Sequence, residues 1–135
     1  MKSINLLNSI ATLFQFKLIK DSKGNEYTLL QNNHLKSIEN IEDKTAFEAI
    51  ENHVHIPVKV KKSNFDNMCS IGKILGKTLL SCLKQEFPSK SFVVFVCISI
   101  GGSIVIRFHQ KWENEPLYYD VLDNYEKGTK IFAFK

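Results

Sequence analysis

The sequence predicts an α+β fold in one domain spanning residues 1–135: an antiparallel β-sheet with a long amphipathic helix packed on one face and an N-terminal helix. Three observations carry this prediction. Phe92 to Ile100 is apolar except for Ser99 and rich in β-branched residues, and after Gly101-Gly102 a second such run, Ile104 to Phe108, returns. Residues 64–86 repeat their apolar positions with a helical period and stop at Phe87-Pro88. A shorter helical pattern opens the chain.

At that opening, Ile4, Leu7, Ala11 and Phe14 recur at helical spacing, which predicts a helix from Ser3 to about Phe14 with Ser3 as N-cap. The period then switches to two, with Phe14, Phe16 and Leu18 alternating against Gln15, Lys17 and Ile19. Asp21 to Asn25 (DSKGN) is turn chemistry, and Tyr27 to Leu30 returns as an antiparallel partner. Asp43 caps a short helix from Lys44 to about His53 with Ala46, Phe47 and Ile50 inward. Ile56, Val58 and Val60 then alternate with Pro57, Lys59 and Lys61 as a half-exposed strand, and Pro57 favours an edge or strand-start position.

The long helix, with Ser63 as cap, places Met68, Ile71, Leu75, Leu79, Cys82 and Leu83 on one side and Lys73, Lys77 and Lys84 on the other. Gly72 and Gly76 cost about 1 kcal/mol each in helix propensity, so their place at the apolar boundary points to close approach of the backbone to the sheet. In the following hairpin a two-residue Gly101-Gly102 turn pairs Ser99 with Ile104, Cys97 with Ile106 and Phe95 with Phe108 on a greasy face. On the other face Ile98 meets Val105, Val96 meets Arg107 and Val94 meets His109. Leu117, Val121 and Tyr125 fit a short helical or irregular connection, although Leu117, Tyr119 and Val121 also alternate as a strand would. Lys127-Gly128 reads as a turn, and Thr129 to Lys135 as a last strand with Ile131 and Ala133 opposite Phe132 and Phe134.

Charge is bipolar around a net +4. Seven lysines (59, 61, 62, 73, 77, 84 and 90) face only Asp66 and Glu86 between Pro57 and Lys90, whereas Glu113, Glu115, Asp120, Asp123 and Glu126 follow without a Lys or Arg. Such a division suits recognition of a charged partner better than bulk attraction to nucleic acid. Cys69, Cys82 and Cys97 form no CxxC pair, and 13 helical residues hold the first two roughly 20 Å apart, so a reduced, cytoplasmic protein is expected. The apolar runs are too short to span a bilayer.

Candidate sites follow from these patterns. His53 and His55 lie two apart, as two metal ligands on a strand would, but no Cys or acid completes a zinc spacing, and they read as strand-end histidines. Arg107, His109, Glu113 and Glu115 are types suited to acid–base chemistry, yet no nucleophile motif, phosphate loop or cofactor fingerprint accompanies them. Ser70 to Thr78 (SIGKILGKT) superficially resembles a phosphate loop but has Ile71 where the first glycine is required. The expectation is a protein without enzymatic activity and without cofactor or metal. Arg107, His109, Trp112, Glu113, Glu115, Tyr118, Tyr119, Asp120 and Asp123 together mix aromatic anchors with charge, as a protein-binding surface does. The alternative reading assigns the Lys73, Lys77 and Lys84 ridge to nucleic-acid phosphates.

The helix ending in FP, the strand FVVFVCIS, the returning SIVIRFHQKW and the following NEPLYYD resemble small bacterial immunity proteins of polymorphic and contact-dependent growth inhibition systems, most sharply from Phe92 to Asp120. The resemblance implies a cytoplasmic protein that binds one cognate toxin domain, often a nuclease, and blocks it without catalysis. The net positive charge departs from the strongly acidic balance of the commonest nuclease inhibitors, so the acidic run would have to act locally.

Overall fold

The computed structural model describes residues 2–119 and 127–135. Among them the elements run α1 (Lys2–Leu13), β1 (Phe16–Lys20), β2 (Glu26–Leu30), α2 (Lys44–Glu51), β3 (His53–Ile56), α3 (Phe65–Glu86), β4 (Phe92–Ser99), β5 (Ile104–Gln110) and β6 (Thr129–Phe134). β1 and β2 pair as a small antiparallel sheet, and the other strands form an antiparallel sheet of order β3-β5-β4-β6. The α+β expectation holds, with the long helix against one face of the larger sheet.

Alternation along the strands divides that sheet into two faces. Phe92, Val94, Val96 and Ile98 of β4 lie beside Ile104, Ile106 and Phe108 of β5 and beside Phe132 and Phe134 of β6. This face meets α3 and builds the main core with Leu79, Leu80 and Leu83. The opposite face carries Val93, Phe95 and Cys97, Val105, Arg107 and His109, and Ile131 and Ala133.

The hairpin register differs by one residue from the sequence expectation. Val94 pairs with Phe108, Val96 with Ile106 and Ile98 with Ile104. The turn is longer than Gly101-Gly102: Gly101 alone takes a positive φ of 88°, Gly102 N–H donates to the Ser99 carbonyl (3.0 Å), and the loop spans the residues between Ile98 and Ile104. Val60 holds it from outside, accepting from Gly101 N–H (2.8 Å) and donating to the Gly102 carbonyl (3.0 Å). A one-residue slip transfers every β4 side chain to the other face, so Phe95 and Cys97, expected beside Phe108 and Ile106, instead share a face with Arg107 and His109.

α3 approaches the sheet through its glycines. A Cβ on Gly72 would stand 2.8 Å from Ile98 Cδ1 and from Val96 Cγ1, and one on Gly76 2.6 Å from Val96 Cγ2 and 2.8 Å from Phe134. The buried stripe is accordingly Cys69, Gly72, Gly76, Leu79, Leu80 and Leu83, and Ile71, expected inward, is 45% exposed. Ser63 sits in a 3₁₀ turn, Lys62–Asn64, instead of capping the helix; Asn64 occupies that place and its Oδ1 accepts from Lys61 N–H (2.7 Å).

Three smaller expectations are also corrected. α1 begins at Lys2, so Ser3 lies inside it, and it packs through Leu6, Ile10 and buried Leu13, with Phe14 just after it, leaving Ile4 and Leu7 exposed. α2 buries Thr45, Glu48 and Ala49, whereas Ile50 is 51% exposed. β3 is His53–Ile56 and not the alternating run after it. Val58 N–H bonds the Ile56 carbonyl (2.8 Å) across Pro57, a three-residue turn that ends the strand. Pro57 thus lies just past the end of β3, which borders the sheet, and not within a strand. Val121 and Tyr125 lie outside the described residues.

Candidate functional site

The polar end of β5 and the chain after it form the best-built polar region of the molecule. Its centre is Glu48, which the sequence reading overlooked. From α2, Glu48 projects between the two sheets and accepts four N–H bonds: Thr28 N (2.9 Å), Gln110 N (2.8 Å), Gln110 Nε2 (2.8 Å) and Trp112 Nε1 (2.8 Å). Burial raises its pKa, and the bonds from Gln110, Thr28 and Trp112 offset part of that rise. One helical turn on, buried Asn52 accepts from Leu30 N–H (3.0 Å) and donates to the Thr28 carbonyl (2.8 Å). Glu48 and Asn52 thus give the β2 backbone the partners a further strand would supply, and they join the small sheet to the large one. Thr45, Glu48, Ala49 and Asn52 form an i, i+3, i+4, i+7 stripe, the signal that could have revealed this face.

Trp112 belongs to this interior. Its ring lies 5.3 Å from that of Tyr27 in a cluster with Leu29, Ile38 and Phe47, and Lys44 Nζ sits 5.6 Å above it. The neighbouring Tyr27 phenol is pushed up to about 12 by burial and by Asp21. Trp112 is therefore a packed, hydrogen-bonded residue and not the free anchor its composition suggested.

Beyond Trp112 the chain turns sharply. Glu115 N–H donates to the Trp112 carbonyl (3.2 Å), with Asn114 at φ 63°, a left-handed conformation that Asn tolerates well. The turn aims Glu115 at the start of α2, where it accepts from Thr45 N–H (2.7 Å), Thr45 Oγ1 (2.6 Å) and Lys44 N–H (3.2 Å), with Lys44 Nζ at 3.8 Å. Partial burial pushes this carboxyl up, but the Thr45 and Lys44 contacts prevail and hold it below the ordinary glutamate value. With Asp43 Oδ1 accepting from Ala46 N–H (2.9 Å), two carboxylates serve one helix N-terminus.

His109 is wholly buried, which removes it from any surface contact. Its Nδ1–H donates to the Gln110 carbonyl (2.7 Å), and Nε2 accepts from Tyr118 N–H (3.2 Å), so the pattern fixes a neutral imidazole. Burial lowers its pKa in the same sense. Arg107 donates to the Ala49 carbonyl (3.0 Å) and lies beneath Tyr118 and Tyr119, 5.1 and 5.8 Å from their centroids. Tyr119 also meets Phe95 edge to face at 5.0 Å. Leu117, Tyr118 and Tyr119 thereby cover the sheet face opposite α3.

The expected site residues consequently separate. His109, Trp112 and Glu115 do internal work; Arg107, Tyr118 and Tyr119 are half-buried; Glu113 is exposed; Asp120 and Asp123 lie outside the described residues. Asp43, Thr45, Ala46, Pro116, Leu117 and Tyr118 line a cleft of about 270 Å³ between α2 and the 116–118 segment. Of the lysine ridge, Lys73 Nζ lies 4.6 Å over Phe132, Lys77 Nζ 6.0 Å over Phe134, and Lys84 Nζ 3.5 Å from the Lys135 carbonyl. Their stems shield the α3–β6 seam while the charges stay at the surface. Among the described residues no helix is long and apolar enough to cross a membrane, and no three His, Cys, Asp or Glu side chains converge as a metal site.

A family model, described as the Uncharacterized protein PM0498 family, matches residues 5–134, and the chain belongs to that family. Neither a curated protein nor a solved structure matches it.

Proposed function

We propose that this member of the PM0498 family is a cytoplasmic immunity protein that binds a cognate bacterial toxin domain and occludes its active or substrate surface without catalysis. The observation that carries the reading is the cleft between α2 and residues 116–118. It has an apolar wall of Ala46, Pro116 and Leu117, an aromatic wall in Tyr118 and a carboxylate in Asp43. Asp43 is exposed and uses only Oδ1 for its cap, which leaves its other oxygen for a cation. Exposed Glu42 and Glu113 flank the lining residues in sequence, and the nearby cations are already engaged: Lys44 is drawn to Glu115 and Trp112, and Arg107 to the Ala49 carbonyl and the Tyr118 ring. A Lys or Arg of a basic toxin surface suits this combination, its stem on the apolar wall and its charge at Asp43. This narrows the acidic and aromatic surface expected from the sequence to a local patch, in keeping with a chain of net charge +4.

The test is co-expression with, and pull-down of, the toxin domain encoded beside this protein's gene. Protection and a stable complex are expected. Asp43→Asn, which retains a capping side chain, and the exposed Glu113→Lys should each weaken the complex about tenfold, roughly 1.4 kcal/mol, with the loss from Glu113→Lys mainly in association rate. Absence of both complex and protection would overturn the proposal. If the lysine ridge served nucleic acid instead, binding would fall steeply with salt and weaken on replacing Lys73, Lys77 and Lys84.

A further inference from the structure

His53 and His55 remain outside the cleft and the Glu48 network. They lie two residues apart on the edge strand β3, both exposed, with their side chains on the sheet face opposite α3. Their ring centroids are 5.3 Å apart and nearly perpendicular, at 79°. A tetrahedral metal bound by two imidazoles at about 2.0–2.1 Å per bond holds the ring centroids roughly 5 Å apart. The observed separation therefore fits a shared ion.

Orientation adds a second, independent observation. His53 Nδ1 is 2.5 Å from the Ile50 carbonyl, one of the terminal carbonyls of α2. A carbonyl can only accept, so this nitrogen carries a proton, which leaves Nε2 as the nitrogen that would ligate a metal. An imidazole N–H fixed on a backbone carbonyl is the usual outer support of a metal-binding histidine. His55 is held more loosely, with Nδ1 3.5 Å from Ser103 Oγ in the β4–β5 loop. Arg107 stands opposite His53 in the register, but its guanidinium is directed to the Ala49 carbonyl and the two tyrosine rings.

We propose that His53 and His55 form a two-imidazole chelate on the sheet edge for a borderline divalent cation of the zinc class, with water completing the coordination. Two neutral ligands and no carboxylate in the set make it a site of modest affinity, which distinguishes it from a structural zinc centre that the fold would need.

The test is titration of the full-length protein with Zn²⁺ alone, followed by calorimetry and by the imidazole resonances of all four histidines. One equivalent is expected to bind and to move the resonances of His53 and His55. His53→Ala and His55→Ala should each lower affinity at least tenfold, while His34→Ala leaves it unchanged. Both positions are exposed, so the variants retain the fold, checked by an unchanged urea midpoint without metal. Binding that survives the double replacement, shifts centred on His34, or no saturable binding would each overturn the proposal.

Discussion

At the scale of single residues, two buried ionisable groups carry consequences that their types alone do not announce. Glu48 satisfies four N–H donors, so Glu48→Gln turns an amide NH₂ toward groups that also donate. The expected loss is about 2–4 kcal/mol in urea unfolding, because buried donors left without acceptors carry their full desolvation cost. His109 predicts a pH dependence. Its folded pKa is lowered by burial, so between that lowered value and the ordinary histidine value of 6.5 the unfolded chain binds more protons. Its contribution to stability is complete above 6.5 and is lost as pH falls through the lowered value. Urea midpoints measured downward from pH 7.5 should show this fall, and His109→Gln should flatten it. Glu48 acts oppositely: its raised pKa means that stability declines as pH rises above the ordinary glutamate value of 4.5.

At the scale of elements, α3 shows how two small residues set a packing distance. Gly→Ala on an exposed helix surface gains about 1 kcal/mol. Gly76→Ala should instead cost a net 1–2 kcal/mol or so, since the new methyl meets the stiff β-branched Val96 and the Phe134 ring, and overpacking typically costs 1–3 kcal/mol. Thermal unfolding of Gly76→Ala with and without Val96→Ala checks the cause: the second substitution should recover much of the loss if the clash is responsible. The close approach was legible because two glycines in a helix need a reason. Most of the inward stripe was legible too, with Met68, Leu75, Leu79, Cys82 and Leu83 packed into the core; Ile71 was not, because it looks as apolar as Leu79 and only the glycine contact rotates the helix so that it faces solvent.

At the scale of the whole molecule, α2 is the joint between the sheets. Glu48 and Asn52 reach β2, while Asn52 and Gln110 bind from the other side: Phe108 N–H donates to the Asn52 carbonyl (3.1 Å), and Gln110 Nε2 to the Glu26 carbonyl (2.9 Å). Asn52→Ala should cost about 1–3 kcal/mol and, in amide exchange, should release the Leu30 N–H well before the β4–β5 amides. The proposed binding cleft rests on the same helix, since Asp43 and Ala46 reach it from the first turn of α2 and Glu115 fastens the opposite wall to that turn. Losing Glu115 should therefore loosen partner binding through position, without any contact of its own.

What the sequence determined by itself was the set of local decisions. Period, caps and breakers are written in neighbouring residues, so they located the hairpins, the Phe87-Pro88 stop, the Asp43 cap and the alternation of β6. They also singled out the polar segment from Arg107 to Tyr119. Tertiary structure decided which face each element buries and whether each polar group is used inside or outside. The β4 register depended on a loop fastened by Val60, distant in sequence, and the fates of Trp112, Glu115 and His109 depended on partners at Glu48, Thr45 and Tyr118. Aromatic and acidic residues make surfaces and interiors alike. Only the geometry that brings a donor within 3 Å of an acceptor far along the chain separates the two uses.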